Sequence, residues 1–405
     1  MSLFLDEKKT CSLANKYGTP LYVYDEKILR RRCRDLLEAF DGRISPSFSI
    51  KANSNLSLLK IIKEEGIGAD AMSPGEIFLL EKAGFQSEEI FYVGNNVSAE
   101  EISFAIERNI LVSVDSLAQL ELFGEINPGG KVAVRFNPGL GAGHCDKVVT
   151  GGKKTKFGVQ AEFVGQVKEI ADKYGLRLVG VNQHIGSLFL EPDQYAESAR
   201  NLLQLIAENL PGLDFVDFGG GFGIPYEPGE ARLDFAKLTE MLFPVLDAFV
   251  EKYDNKNVHF KCEPGRYLTA ECGAVIGRVH SIKDNYDNKY VGTDIGFNVL
   301  MRPVLYDSYH QITAFADGGS ADVCEGCVTV VGNICESGDI LAKERNIGPV
   351  KMGDLVVVSD AGAYGYSMAS NYNCRLRPAE ILIKADGSDK IIRKADTFET
   401  LIENF

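Results

Sequence analysis

The chain has 405 residues, 45% of them hydrophobic and 25% charged, with a formal net charge of −14. That length suits about two domains, and the acidity excludes the clustered Lys/Arg surface that duplex binding requires. The opening MSLFLDEKKT has no signal-peptide core, and no stretch approaches the roughly 18 apolar residues of a membrane span, so neither leader nor membrane contact is expected.

The first 26 residues hold one strand-like run, PLYVYD, which could join either domain and is assigned to the later, β-rich one. An amphipathic helix pattern follows from about Glu26 to Phe40, and its basic run Arg30–Arg34 reads as a solvated face. Between Pro46 and Arg266, eight β-rich runs alternate with helical patterns. The runs are 47–52, 68–73, 90–94, 111–116, 132–138, 178–186, 215–221 and 259–265. Their lengths and branched or aromatic content suit buried parallel strands, and the intervening helices are long enough for the crossovers such strands need. The expectation is an α/β fold, a (β/α)8 TIM-type barrel over residues 27–272. An open doubly wound sheet is the competitor; the count of eight favours closure.

After residue 272 helical periodicity fades. Runs such as AVIGRVHSI, KYVGTDIGF, CVTVVGNIC, DLVVVSDAG and AEILIKA predict a mainly β, barrel-like C-terminal domain over 273–405. The nine cysteines form no dense framework and read as reduced thiols in a cytoplasmic protein. Cys324 and Cys327 make a lone C-x-x-C without a second pair, so no metal site is expected.

Chemistry in such barrels sits at the C-terminal ends of the strands. Those ends carry Lys51, Asp70, Asn95, Asp115, Asn137, His184, Gly219 to Gly221 and Glu263. Lys51 follows an apolar run, and a desolvated amine suits Schiff-base chemistry. The run Gly219-Gly220-Gly221-Phe222-Gly223 and the later Glu263-Pro264-Gly265-Arg266 fall where barrels bind phosphate. His184 could stack on a flat ring, with Ser187 beside a phosphate. Each feature alone has an ordinary reading: a snorkelling lysine, a tight corner, a structural histidine.

Together they point further. Ser49-Ile50-Lys51-Ala52-Asn53, Gly94-Asn95-Asn96, His184-Ile185-Gly186-Ser187, the glycine run, Glu263 to Arg266, Met301-Arg302-Pro303, Cys335-Glu336-Ser337-Gly338-Asp339 and Gly362-Ala363-Tyr364-Gly365 occur in order along nearly the whole chain. This ordered set resembles the alanine-racemase-like (fold type III) decarboxylases that use pyridoxal 5'-phosphate (PLP), and within them the diaminopimelate decarboxylases.

The resemblance implies that Lys51 bonds the cofactor and His184 stacks on its ring. Asp70 would also belong to the cofactor site. Ser187, the backbones of Gly220, Gly221 and Gly265, Arg266 and Tyr364 would hold the phosphate end, and Glu263 would face the ring nitrogen. A carboxylate about 4 Å from a pyridinium gains on the order of 4 kcal/mol at an effective dielectric near 20, which keeps the ring protonated and electron-withdrawing. Racemases of this fold resemble one another in placing an arginine there, so Glu263 favours decarboxylation.

Cys335 resembles the thiol that protonates the product, contributed by the neighbouring subunit of a homodimer with shared sites. Arg266, Arg302, Tyr306 and Tyr364 resemble the groups that hold the distant part of the substrate, and Glu336 the acid that takes its far amine. The implied reaction converts meso-2,6-diaminopimelate to L-lysine and CO2. The alternatives are decarboxylation of ornithine, carboxynorspermidine or a D-amino acid, or a non-catalytic regulator, which would tend to lose Lys51 or Cys335. Pro74, Leu188, Val299, Cys374 and Leu376 depart from the family pattern without removing any of these groups.

Overall fold

The computed structural model describes residues 4–137, 142–143, 155–317 and 324–405. Pro138, the last residue of the fifth predicted strand, lies outside them. The chain divides into two units. One comprises Met1–Leu29, Pro225–Glu230 and Thr269–Phe405, the other Arg30–Ile224 and Ala231–Leu268.

Helix α1 (Glu7–Tyr17) begins on Asp6, whose side chain accepts from the Lys9 N–H. Strand β1 (Leu21–Asp25) and helix α2 (Glu26–Phe40) follow. The second unit then runs through eight strands: β2 (Ile44–Ser49), β3 (Gly68–Ala71), β4 (Ile90–Tyr92), β5 (Leu111–Val114), β6 (Lys131–Asn137), β7 (Arg177–Asn182), β8 (Phe215–Asp217) and β9 (His259–Cys262). Their hydrogen-bonded order is β5-β4-β3-β2-β9-β8-β7-β6, and a β5–β6 pairing closes the ring. Every pairing around it is parallel, so this is the predicted eight-stranded barrel.

The connecting helices α3 (Leu56–Glu64), α4 (Pro74–Ala83), α5 (Ala99–Ile106), α6 (Leu117–Ile126), α7 (Val164–Tyr174), α8 (Asp193–Asn209) and α9 (Phe235–Lys252) start and stop on local chemistry. Ser73, Ser98 and Ser116 each cap an N-terminus by accepting a backbone N–H three residues on. Gly84 and Gly175 end α4 and α7 in the left-handed conformation. Pro74, one of the departures from the family pattern, occupies the first turn of α4, where a missing N–H costs nothing.

The strands end before the apolar runs that announce them. The first is Ile44–Ser49 rather than 47–52, and Ile50–Ala52 forms a 3-10 turn. Strands β7, β8 and β9 end at Asn182, Asp217 and Cys262, before His184, Gly219 and Glu263. Past those points the backbone leaves the ladder for cross-loop bonds. The Ser49 N–H donates to Pro264 O at 3.0 Å and the Glu263 N–H to Gly219 O at 3.0 Å. The chemically interesting residues therefore stand on loops tied to one another.

The other unit is built on a nine-stranded mixed sheet. Its strands are β1, β10 (Gly273–Asn285), β11 (Asn288–Thr293), β12 (Ile312–Phe315), β13 (Cys327–Val331), β14 (Ile340–Asn346), β15 (Leu355–Val358), β16 (Ala379–Ile383) and β17 (Asp389–Arg393). The main path is β14-β13-β11-β10-β1-β16-β17, with β15 pairing β10 and β12. β1 is antiparallel to β10 and parallel to β16. Leu21 and Val23 pack there with Leu13, Ile276, Val357 and Ile381. The sequence runs did not include β12 or β14. β14, ILAKERN, has only Leu341 and Ala342 buried, so it presents no continuous apolar run.

Candidate active site

Lys51 lies half-buried in the 3-10 turn after β2. The groups whose charge acts on it or shares its field come from six other places around the barrel: Asp70 near the end of β3, Glu76 on α4, Arg135 on β6, His184 after β7, Asp217 at the end of β8 and Glu263 just after β9.

The field is dominated by desolvated acids. Burial pushes the Asp70 carboxyl up to about 7; Lys51 opposes the shift, Glu76 and Asp217 add to it, and the Ser49 hydroxyl at 3.0 Å stabilises the anion. Burial likewise raises Asp217 to about 6, against the Gly219 N–H that it accepts at 2.8 Å and the charge of Lys261. Glu263 is held well above the carboxylate range, first by burial, then by Asp217 and Asp70, with Lys51 and Arg135 opposing. Burial also lowers Arg135 despite Glu263, Asp115 and Asp70 nearby. His184 is held well below the usual imidazole value by burial, and then by Lys51 and Arg135, so its ring is neutral.

The glycine loop fixes that ring. The Gly220 N–H donates to His184 Nδ1 at 3.2 Å, which leaves the proton on Nε2. Gly219 O accepts both the Glu263 N–H and the Tyr195 hydroxyl, the latter at 3.1 Å. A Cβ on Gly220 would lie 1.8 Å from Glu263 O, so only glycine permits this approach. Gly221, at φ +107°, accepts the Leu188 and Phe189 N–H groups. The N–H of Gly220, which the resemblance assigns to a phosphate, is thus already engaged by the imidazole. Arg266 donates to Ser187 Oγ at 3.1 Å, joining the loop after β7 to the one after β9, in which Gly265 precedes the arginine.

The remaining predicted residues lie in the β-rich unit. Arg302 begins α11 (Arg302–Tyr306), which follows the single-turn α10 (Arg266–Thr269), and its side chain is buried. Its Nη1 is 2.7 Å from His310 Nε2, its Nη2 3.3 Å from Ser308 Oγ, and its guanidinium lies 4.6 Å from the centre of the Tyr226 ring. Tyr306 and Tyr364 are half-buried, Tyr364 with φ +56°. Cys335 and Glu336 are exposed; the Cys335 N–H donates to Asn373 Oδ1 at 2.7 Å and Glu336 accepts the Tyr372 hydroxyl at 2.5 Å.

Four participants were not singled out as site residues in the sequence. Arg135 had a signal, a charge inside the apolar run VAVRFNP. Asp217 had one at the head of the glycine loop. Glu76 and His310 had none that distinguishes them from surface or structural residues.

These residues can be tested against the implied cofactor. Asp70 Oδ1, Asp217 Oδ2 and Glu263 Oε1 are buried and have no hydrogen-bond partner among the described residues. A cluster so rich in unpartnered acceptors fits a ring that brings an N–H and a positive charge, and the glycine loop, Ser187 and Arg266 fit its phosphate. A closed parallel barrel with a lysine among buried carboxyls at the C-terminal ends of its strands suits a PLP enzyme of the barrel class.

Comparison with known proteins agrees. Residues 26–270 match the model of the pyridoxal-dependent decarboxylases, over their pyridoxal-binding domain. The diaminopimelate decarboxylase of Methanothermobacter thermautotrophicus is 39% identical over 398 residues, covering 96% of this chain and 92% of that one. That of Archaeoglobus fulgidus is 37% identical over 410 residues, covering 99% and 96%. The crystal structure of the Helicobacter pylori diaminopimelate decarboxylase complexed with L-lysine matches with a TM-score of 0.88 at 32% identity, over 97% of this chain and 98% of that one. The chain belongs to the pyridoxal-dependent decarboxylase family. Among the described residues no helix is long and apolar enough to cross a membrane.

Proposed function

We propose that this protein decarboxylates meso-2,6-diaminopimelate to L-lysine and CO2, the last step of lysine biosynthesis, as a cytoplasmic homodimer. The observation that carries the reading is the buried Glu263 carboxyl in the field of Lys51, within a cluster whose surplus of acids suits a cationic ring. Bound PLP supplies an electron sink for the electron pair left as CO2 departs. Lys51 is the amine that holds it. Glu263, which burial tends to keep neutral, becomes the anion once a cation lies against it, and so holds a proton at the ring nitrogen. Neutral His184, oriented by Gly220, offers a flat face for stacking. Ser187, Gly221, Gly265, Arg266 and Tyr364 supply donors to phosphate; Gly220 contributes to it only by sharing the N–H that orients His184.

The Cys335 thiol delivers the proton to the carbon that lost CO2. Its exposure is consistent with service in the site of a second subunit. Arg302, with Arg266, Tyr306 and Tyr364, binds the carboxylate that is retained, and Glu336 the far ammonium. The test is CO2 and amine release from a panel of meso-diaminopimelate, ornithine, lysine and carboxynorspermidine. Diaminopimelate should be consumed with stoichiometric lysine; preferential turnover of any of the others would overturn the substrate assignment.

A further inference from the structure

Arg302 is 1% exposed, and a guanidinium at such a site is costly unless its hydrogens are directed to acceptors. One acceptor is defined on both sides. His310, also 1% exposed, faces Arg302 Nη1 through Nε2 at 2.7 Å and Ser359 O through Nδ1 at 2.8 Å. A carbonyl oxygen only accepts, so Nδ1 must carry the proton. A guanidinium nitrogen only donates, so Nε2 must offer its lone pair. The two contacts together select one neutral tautomer.

The far end of this chain of bonds is rigid. Ser359 directly follows β15, its N–H donates to Gln311 O at 2.9 Å, and Ile312 is paired with Val358 across the β12–β15 ladder. Tyr226 completes the setting, with its ring edge-on to His310 at 5.4 Å and beneath the guanidinium. Ser308 Oγ takes a second guanidinium nitrogen. The guanidinium plane is therefore set by the sheet through an imidazole, not by its own flexible stem.

We propose that His310 is a specificity-determining positioning residue: as the Nδ1–H tautomer it orients Arg302 to grip the substrate's retained carboxylate. This rests on the role given to Arg302 above. It touches neither cofactor nor reacting atoms, so its loss should appear in substrate binding. A second consequence is that protonating His310 would turn a donor toward a donor and disarm the arginine.

The test compares the PLP-loaded wild type with His310→Phe, which keeps a ring but no acceptor, and His310→Gln, whose amide oxygen can reach the position of Nε2. His310→Phe should raise KM for meso-diaminopimelate about tenfold or more, the worth of a hydrogen bond to a charged group. Its visible PLP absorbance should be unchanged and kcat much less affected than KM, while His310→Gln should recover most of the loss. An unchanged KM in His310→Phe, or equal losses in both variants, would overturn the proposal. Nitrogen NMR of the wild type gives a separate reading: His310 should show a protonated Nδ1 and a bare Nε2, and the opposite tautomer refutes the proposal. If the wild type does not turn over diaminopimelate at all, the functional reading fails, while the NMR result still decides the tautomer by which His310 holds Arg302.

Discussion

Asp70→Asn isolates the electrostatic strain at the centre of the barrel site. Asp70 is 0% exposed, and its carboxyl is raised from 3.8 to about 7 by burial and by its acidic neighbours Glu76 and Asp217. In the unfolded chain it titrates near 3.9. Below that pH both states hold the proton and the group contributes nothing. Between the two values the native state keeps a proton that the unfolded state has released, so stability falls as pH rises, and above about 7 the full penalty is present. At 1.36 kcal/mol per pH unit that penalty is on the order of 4 kcal/mol. Asparagine carries no charge and retains an oxygen to accept the Ser49 hydroxyl bond. The PLP-free Asn variant should thus be more stable than wild type, by an amount that widens by about 2 kcal/mol from pH 5.5 to pH 8. Urea unfolding of both proteins at the two pH values measures it. A difference that does not change with pH, or an Asn variant less stable than wild type at pH 8, would refute the electrostatic account of the site.

Other substitutions separate the roles assigned above. Lys51→Ala should bind PLP without the visible band of the reconstituted wild type, whereas Cys335→Ala should keep the band and lose turnover; equal loss of the band in both would remove the proton-donor role from Cys335. Arg302→Ala should lower kcat/KM for diaminopimelate by about 3 kcal/mol or more, because truncation strands a buried substrate charge; unchanged turnover would detach Arg302 from the substrate. Gly220→Ala must displace the Glu263 carbonyl that lies 1.8 Å from the new Cβ. It should therefore cost roughly 1–3 kcal/mol of thermal stability and weaken PLP affinity, and normal values of both would show that the loop is not held as described.

The barrel was legible because eight apolar runs alternating with amphipathic helices leave few ways to bury both faces of a parallel sheet. Lys51, the glycine loop and Glu263 were legible as candidates because they end those runs with residue types that apolar strands do not otherwise carry. The ends of the strands were misplaced by several residues, since the motifs after Ser49, Asn182 and Asp217 run straight on from the apolar residues while their backbone bonds turn away from the ladder. In the β-rich unit, β14 was missed because a strand with one solvated face has no apolar run to show.

Sequence alone determined which chemical groups are present and the order in which the barrel delivers them, because local periodicity and motif spacing are properties of neighbours along the chain. Tertiary structure decided their states. Asp70, Asp217 and Glu263 are ordinary acids when read in line; only their common burial raises their proton affinities and suits them to a cationic ring. The same holds for His184, kept neutral by burial beside Lys51 and Arg135 and held in one tautomer by a glycine 36 positions later, and for His310, whose tautomer is set by a carbonyl 49 positions away. Desolvation and long-range hydrogen bonds depend on what folding brings together, and no window of sequence contains them.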